Sequence, residues 1–100
     1  MKALQMQSCV HENATVECAL VEITIPDPKP DEVVVAVEAA PINPSDLGLM
    51  FGAADLSTVQ EVERNGQPAL LLDVPAAAMR AMAPRVGHWM GVGNEGSGRV

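Results

Sequence analysis

The sequence predicts a mostly β domain of the α+β class with short helices, on three observations. Hydrophobic residues make up 48% of the chain and aromatic residues only 2%, so the core must be aliphatic and β-branched, which favours sheet. Several extended apolar runs are bounded by turn-forming segments. Irregular connecting segments rich in proline separate these runs. One hundred residues suffice for one domain, residues 1–100, with a single core.

The N-terminal segment predicts a β-hairpin. Residues 2–10 and residues 15–25 are extended runs with partial alternation, separated by the polar sequence HENA. Cys9 and Cys18 are symmetric about Asn13 and Ala14, so this hairpin is expected to place them opposite each other. Two cysteines are too few for a disulfide scaffold and lack a zinc-site spacing, so we expect reduced, packed thiols.

A rigid connector and a buried strand are predicted next. Residues 26–32, PDPKPDE, contain three prolines, which lack an amide donor, so no strand ladder runs through them. Residues 33–40, VVVAVEAA, form a nearly continuous apolar run of strand length. This pattern is typical of a strand buried on both faces. We therefore predict that residues 33–40 are the central strand.

The sequence PINPSDLGLMFG predicts a short helix. Asn43 suits the N-cap, Pro44 the first helical position, Asp46 the first turn and Gly52 the position just past the end. One or two turns of helix fit between these signals.

The following residues predict two more helices around a strand. Residues 55–64 place apolar side chains at i, i+3 and i+6 behind a capping-box spacing, which indicates a short amphipathic helix before an Asn-Gly turn. Residues 69–74 are a strand-like run. Residues 75–84 are rich in alanine and bounded by proline, and predict a helix in which Met79 and Met82 fill the core.

Residues 91–96 carry the glycine spacing G-x-G-x-x-G of dinucleotide-binding loops. That fingerprint requires a preceding strand, a following helix and an acidic residue about 20 positions further on. None of these is present around residues 91–96. We therefore interpret the glycines as permitting a bulged, closely packed approach to a final strand that starts near Ser97.

Charge and hydropathy exclude several classes of function. The formal charge is −7 overall, with −9 in residues 1–63 and +2 in residues 64–100. This balance argues against a nucleic-acid partner and is typical of a solvated surface. No segment has the apolar length of a secretory signal or a membrane span. We expect a cytoplasmic protein with no membrane partner.

Two motifs carry a family resemblance. One is N-P-x-D, at Asn43, Pro44, Ser45 and Asp46; the other is G-x-E-x-x-G-x-V, at Gly93, Glu95, Gly98 and Val100. Together they resemble the N-terminal, GroES-like substrate domain of medium-chain dehydrogenases/reductases, in the zinc-independent quinone oxidoreductase-like branch. The resemblance implies a partly open β-barrel with short helices. It also implies that the chain is truncated before a Rossmann-type nucleotide-binding domain.

The resemblance also implies a reaction without zinc. In zinc-dependent alcohol dehydrogenases, which share this fold, a cysteine ligand stands where this chain has Asn43 and a histidine ligand where it has Asn94. Neutral amides are poor zinc ligands, and Glu95, His11 and His88 have no suitable second ligand nearby, so we predict no catalytic metal. NADPH or NADH then supplies the hydride.

The same resemblance assigns roles to the N-P-x-D turn. In the related enzymes this turn borders the cleft near the nicotinamide, so Asn43 and Asp46 are predicted catalytic residues. Asn43 is also predicted to bind the cofactor, its amide orienting the acceptor or the nicotinamide ring. Because the same two residues suit a helix start, a purely structural role stays open.

The expected function is reduction of a small-molecule quinone or other activated carbonyl by the full-length protein. A homo-oligomer formed through the missing domain is compatible with the resemblance. Two alternatives stay open: a stand-alone non-catalytic binding or structural module, and an enoyl or acyl reductase of the same superfamily. The second is disfavoured because Ala54 stands where related enoyl thioester reductases have a tyrosine. Residues 55–86 exceed the usual link between the motifs and are expected to form or cover the substrate pocket.

Overall fold

The structure is a computed structural model that describes residues 1–100 as two antiparallel sheets and two short helices. The elements in chain order are β1 (Lys2–His11), β2 (Thr15–Thr24), β3 (Ala36–Ala39), α1 (Pro44–Phe51), β4 (Gln60–Arg64), β5 (Gln67–Asp73), α2 (Ala76–Met82), β6 (Met90–Gly91) and β7 (Ser97–Arg99). Five strands form one sheet in the order β4-β5-β2-β1-β6, and β3 pairs with β7 in a second. The predicted α+β class is confirmed, but the sheets do not close into a barrel. Neither helix is long and apolar enough to cross a membrane.

The N-terminal hairpin of β1 and β2 is confirmed, with one correction to its register. The ladder pairs Cys9 with Glu17 and Ser8 with Cys18, because the turn is centred on Asn13 rather than between Asn13 and Ala14. The two cysteines therefore lie on opposite faces of the sheet, and the expectation that they face each other is wrong. Both thiols are free and buried, and burial raises the pKa of each.

The core lies between the five-stranded sheet and α2. Val10 and Val16 from the hairpin pack with Val74 and Met82, and all four are at least 95% buried. Met79 packs against the same cluster. The predicted helix of residues 75–84 is therefore confirmed as α2, and so is the predicted role of its methionines as core filler.

The other face of this sheet carries a buried charge. The Glu17 side chain is only 10% exposed; its carboxylate accepts hydrogen bonds from His11 Nε2 (2.8 Å) and Arg64 Nη1 (3.2 Å). The Arg64 guanidinium also lies 4.4 Å from the ring centre of Trp89. Arg64 belongs to β4 at one edge of the sheet, and Trp89 precedes β6 at the other edge. A flat sheet would separate strands four positions apart by about 19 Å, so the sheet must curl over Glu17.

The prediction of a central strand at residues 33–40 is wrong. Only Ala36–Ala39 form a strand, which pairs with β7 alone and is exposed along its length. The centre of the large sheet is instead β2, which pairs with β1 and β5. A continuous apolar run indicates a strand but does not reveal which element covers it, and no element of this chain packs over Val33 or Val37, which are 65% and 63% exposed.

The prediction of an amphipathic helix at residues 55–64 is also wrong. A single 3-10 turn covers Leu56–Thr58, capped by the Asp55 carboxylate, and β4 begins at Gln60. The Ser57 hydroxyl and amide donate to that carboxylate and lower the pKa of Asp55. The predicted Asn65-Gly66 turn is confirmed, and both residues have positive φ, the geometry of a tight hairpin. This hairpin recruits residues 60–64 into the sheet, which overrides their weak helical spacing.

The predicted final strand near Ser97 is confirmed as β7, with a bulge opposite it. Val37 pairs with Gly98 and Ala39 with Ser97, so the extra residue of the bulge is on β3 rather than in the glycine-rich segment. A Cβ at Gly98 would clash with the carbonyl oxygen of Ala36. The closest backbone approach therefore occurs at Gly98, inside β7, rather than at the glycines of residues 91–96.

Replacing Gly98 with alanine is expected to separate β7 from β3, because the clash is with main-chain atoms. We expect hydrogen-exchange protection of the β3 and β7 amides to fall by about tenfold or more, while the melting temperature changes little since both strands are exposed. Gly48→Ala is the control: no atom lies within 4 Å of its Cβ position, and helix α1 should gain about 0.5–1 kcal/mol. Unchanged protection in Gly98→Ala would contradict the close contact.

Candidate functional site

The N-P-x-D turn forms the start of α1, as the sequence predicts. Asn43 is extended (φ −103°, ψ 157°) and Pro44 occupies the first helical position. Asp46 Oδ2 accepts a hydrogen bond from the main-chain N–H of Asn43 (2.8 Å). The main-chain N–H of Asp46 donates to the main-chain carbonyl oxygen of Asn43 (2.9 Å). A carboxylate here also interacts favourably with the positive end of the helix dipole. Asp46 therefore fixes the main chain of Asn43.

The two sequence motifs meet at this helix start. Asn43 Nδ2 donates a hydrogen bond of 3.3 Å to Glu95 Oε1, across 52 residues of sequence. Because a carboxylate only accepts hydrogen bonds, the contact assigns the nitrogen of the Asn43 amide to the Glu95 side. The contact holds the N-P-x-D turn against the segment that leads into β7.

An open cleft of about 660 Å³ adjoins this contact. Its walls come from the end of β3 and from the segment before β7. The lining residues are Ala39, Ala40, Pro41, Asn94, Glu95, Gly96 and Ser97. Two backbone segments with small side chains thus form the cleft, and the Glu95 carboxylate is the charged group within it.

The far end of α1 is held by Arg85. Its guanidinium donates to the carbonyl oxygens of Leu49 (2.6 Å) and Gly48 (3.2 Å) and lies 3.5 Å from the Ser8 hydroxyl. The Ser8 hydroxyl itself donates to the Met50 carbonyl oxygen (2.7 Å). These groups satisfy carbonyls that a helix C-terminus leaves unpaired. The position of α1, and so of Asn43, depends on this anchor to β1.

The predicted site residues differ in how they relate to the cleft. Asn43 is half-buried and touches the cleft through Glu95. Asp46 is 6% exposed and lies behind the turn, where its Oδ1 has no hydrogen-bond partner. Neither residue is part of the cleft lining. Glu95, a member of the second motif that is not among the predicted site residues, is the side chain that connects Asn43 to the cleft.

The possible metal ligands named from the sequence are divided between the cleft, where Asn43, Asn94 and Glu95 lie, and other parts of the fold, where the two histidines lie. Asn43 and Asn94 are both near the cleft, while His11 is bound to Glu17 on the far face of the sheet and His88 is exposed. No group of three histidine, cysteine, aspartate or glutamate side chains is arranged to hold a metal ion.

Residues 55–86 contribute to a second, apolar cavity. We call it the methionine cavity; it measures about 230 Å³ and lies between the five-stranded sheet and the end of α1. The lining residues are Met6, Cys18, Ala19, Leu20, Met50, Glu61, Pro68, Ala69 and Leu70. β4 and β5 supply four of these. Residues 55–86 contribute none of the residues that line the cleft beside Asn43, and that they form or cover a substrate pocket stays a prediction. Ala54, which the resemblance aligns with a tyrosine of enoyl thioester reductases, packs against the core cluster.

Comparison with known proteins adds no assignment. No model of a known protein family matches the chain, and no curated protein matches it.

Proposed function

We propose that this chain is the substrate-domain portion of an NAD(P)H-dependent, zinc-independent oxidoreductase with a GroES-like domain, as in medium-chain dehydrogenases/reductases. Its substrates are small quinones or other activated carbonyl compounds, and its compartment is the cytoplasm. The observation that supports the proposal is the 3.3 Å contact between Asn43 and Glu95. It joins the two motifs on which the family resemblance depends.

Within this proposal, Asn43 orients the carbonyl acceptor. One Nδ2 hydrogen is directed at Glu95, and the second has no acceptor within the chain. An amide N–H aimed at a carbonyl oxygen stabilises the negative charge that develops there during reduction. Glu95 fixes the direction of that donor because it holds the same nitrogen. Asn43 needs no acid–base chemistry for this role.

Asp46 acts as a positioning residue in this scheme. Its carboxylate is buried and holds the Asn43 main chain through a 2.8 Å hydrogen bond. A displacement of about 1 Å at a reacting geometry costs large factors in rate. Loss of Asp46 is therefore expected to lower activity through Asn43 rather than through contact with substrate.

The coenzyme supplies the hydride when bound, and its phosphates require a site outside these residues. Residues 91–96 lead into β7 and not into a helix, so they lack the helix N-terminus that holds a pyrophosphate. The proposal therefore places the nucleotide in a Rossmann-type domain after Val100. By itself the chain of residues 1–100 should show no micromolar binding of NADPH.

The proposal is tested by expressing the protein together with whatever its reading frame encodes after Val100. Oxidation of NADPH and NADH is followed at 340 nm with a simple quinone as acceptor. We expect Asn43→Ala to lower kcat/KM by about 100-fold, the effect of losing one oxyanion donor, and Glu95→Gln to have a smaller effect because its side-chain oxygen still accepts. Ser45→Ala, on an exposed neighbour in the same turn, is the matched control.

Two outcomes would contradict the proposal. A stop codon after Val100 and no reductase activity would favour a stand-alone binding or structural module. A fall in thermal stability of Asn43→Ala without a fall in kcat/KM would assign Asn43 to the helix start alone. Product analysis separates carbonyl or quinone reduction from reduction of an enoyl thioester.

A further inference from the structure

The methionine cavity brings sulfur side chains together on the face of the sheet opposite Glu17. Met6, Cys18 and Met50 all line it, and most of the remaining lining residues are hydrophobic. Cys18 is 2% exposed, whereas Met6 is 38% exposed and lies where the cavity opens. Solvent therefore reaches the Met6 side chain of this cavity, whereas Cys18 lies beneath the surface. The cavity shares no lining residue with the cleft beside Asn43.

Two of these sulfurs already have the spacing of ligands to one ion. Cys18 Sγ and Met6 Sδ are 3.8 Å apart. An ion bonded to two sulfurs at about 2.3 Å, with tetrahedral or trigonal angles, separates them by about 3.8–4.0 Å. The pair can thus accept an ion between them without moving apart.

The fold places Met50 next to this pair. Ser8 is the cross-strand partner of Cys18, and the Ser8 hydroxyl donates to the Met50 carbonyl oxygen at 2.7 Å. This hydrogen bond holds the end of α1 above Cys18. Met50 lines the same cavity, so its thioether is the third sulfur group of the lining.

We propose that Cys18, Met6 and Met50 form a binding site for a soft monovalent ion, Cu(I). Thiolate and thioether sulfur favour soft metal ions, Cu(I) among them. On binding, the Cys18 S–H bond breaks, a Cu–S bond forms and the proton leaves to solvent, with no change in oxidation state. The thiolate and Cu(I) together are neutral, so the complex suits an apolar cavity. Zn²⁺ with the same ligands would leave a net positive charge there, which is costly to bury.

Cys9 provides an internal control for this site. It is also 2% exposed, but it lies on the other face of the sheet, where its Sγ is 4.0 Å from His11 Nδ1. No methionine sulfur is in contact with it. The two cysteines therefore share burial and differ in their sulfur neighbours.

The test is an anaerobic titration of the folded chain with Cu(I), under reductant and in competition with a chromophoric Cu(I) chelator. We expect one Cu(I) per chain, weakened about 100-fold or more in Cys18→Ser and about tenfold in Met6→Leu and Met50→Leu. Cys9→Ser should match the wild type within about twofold. X-ray absorption should show sulfur ligands only, at about 2.3 Å.

Several results would overturn the site. These are binding that survives Cys18→Ser, an equal loss in Cys9→Ser, nitrogen or oxygen ligands in the absorption spectrum, or no stoichiometric Cu(I) on the wild type. Met6→Leu changes an exposed side chain, so it keeps the test valid if Cys18→Ser fails to fold. Retained wild-type affinity in both methionine variants would also exclude the proposed ligand set.

Discussion

Arg64→Leu is expected to lower the free energy of unfolding by about 3 kcal/mol, the lower end of the range for breaking a buried ion pair. Arg64 Nη1 lies 3.2 Å from both carboxylate oxygens of Glu17, and Glu17 is 8% exposed. Removal of the guanidinium leaves this carboxylate buried with His11 as its remaining partner. The lower end applies because the Arg64 side chain is 38% exposed. The variant also loses the stacking of Arg64 on Trp89, worth about 0.5–2 kcal/mol.

Urea denaturation measures this effect, and the chain contains a matched control. Arg99 pairs with Glu38 at 3.0 Å, but the two side chains are 85% and 58% exposed, so Arg99→Leu should cost less than about 0.5 kcal/mol. The double variant Glu17→Leu/Arg64→Leu should recover part of the loss, because no uncompensated charge is then buried. Equal destabilisation by Arg64→Leu and Arg99→Leu would show that Arg64 does not compensate the buried charge of Glu17.

Local signals in the sequence predict much of the fold. The hairpin of β1 and β2, the Asn65-Gly66 turn and α2 depend on alternation, turn chemistry and proline boundaries, which act within a few residues. The start of α1 is equally local, because Pro44 and Asp46 meet the needs of a helix N-terminus wherever the helix packs. These elements lie where the sequence places them.

The wrong predictions concern elements whose structure depends on the elements that pack or pair with them. The apolar residues 33–40 resemble a buried strand, yet burial depends on a covering layer that local sequence does not encode. Residues 60–64 have weak helical spacing, but the hairpin at Asn65 supplies a strand partner. Tertiary pairing then overrides local propensity.

In the candidate site, too, local sequence predicts some features, and the others depend on tertiary structure. The N-P-x-D turn is predictable, whereas the Asn43–Glu95 contact spans 52 residues and depends on β7 pairing with β3 through Gly98. The Cys18 and Met6 sulfurs likewise meet only because the hairpin turn is centred on Asn13, which puts even-numbered residues of both strands on one face. A shift of one position in that turn would separate them.

Arg85→Met is expected to lower the free energy of unfolding by about 2–3 kcal/mol and to loosen α1. Hydrogen bonds from a charged group are worth about 1.5–3 kcal/mol each, and Arg85 makes two to main-chain oxygens at the end of α1, those of Gly48 and Leu49. The Arg85 Nε is buried without a hydrogen-bond partner, and the cost of burying it offsets part of the stabilisation that these two hydrogen bonds provide. Methionine keeps most of the apolar length of the side chain, so the variant isolates the loss of the guanidinium.

Because α1 carries Asn43 at its other end, this variant should also change the site some distance away. We expect lower exchange protection of the α1 amides and a shifted Asn43 side-chain amide resonance, since a mobile helix start weakens the contact with Glu95. Arg80→Met is the control: Arg80 is an exposed residue in the last turn of α2, and its loss should cost less than about 0.5 kcal/mol. The destabilisation of Arg85→Lys should lie between those of Arg85→Met and Arg80→Met, because one ammonium group does not reproduce the guanidinium fork that reaches both carbonyl oxygens. A destabilised Arg85→Met protein with an unchanged Asn43 resonance would show that β7, rather than the anchor on β1, fixes the helix start.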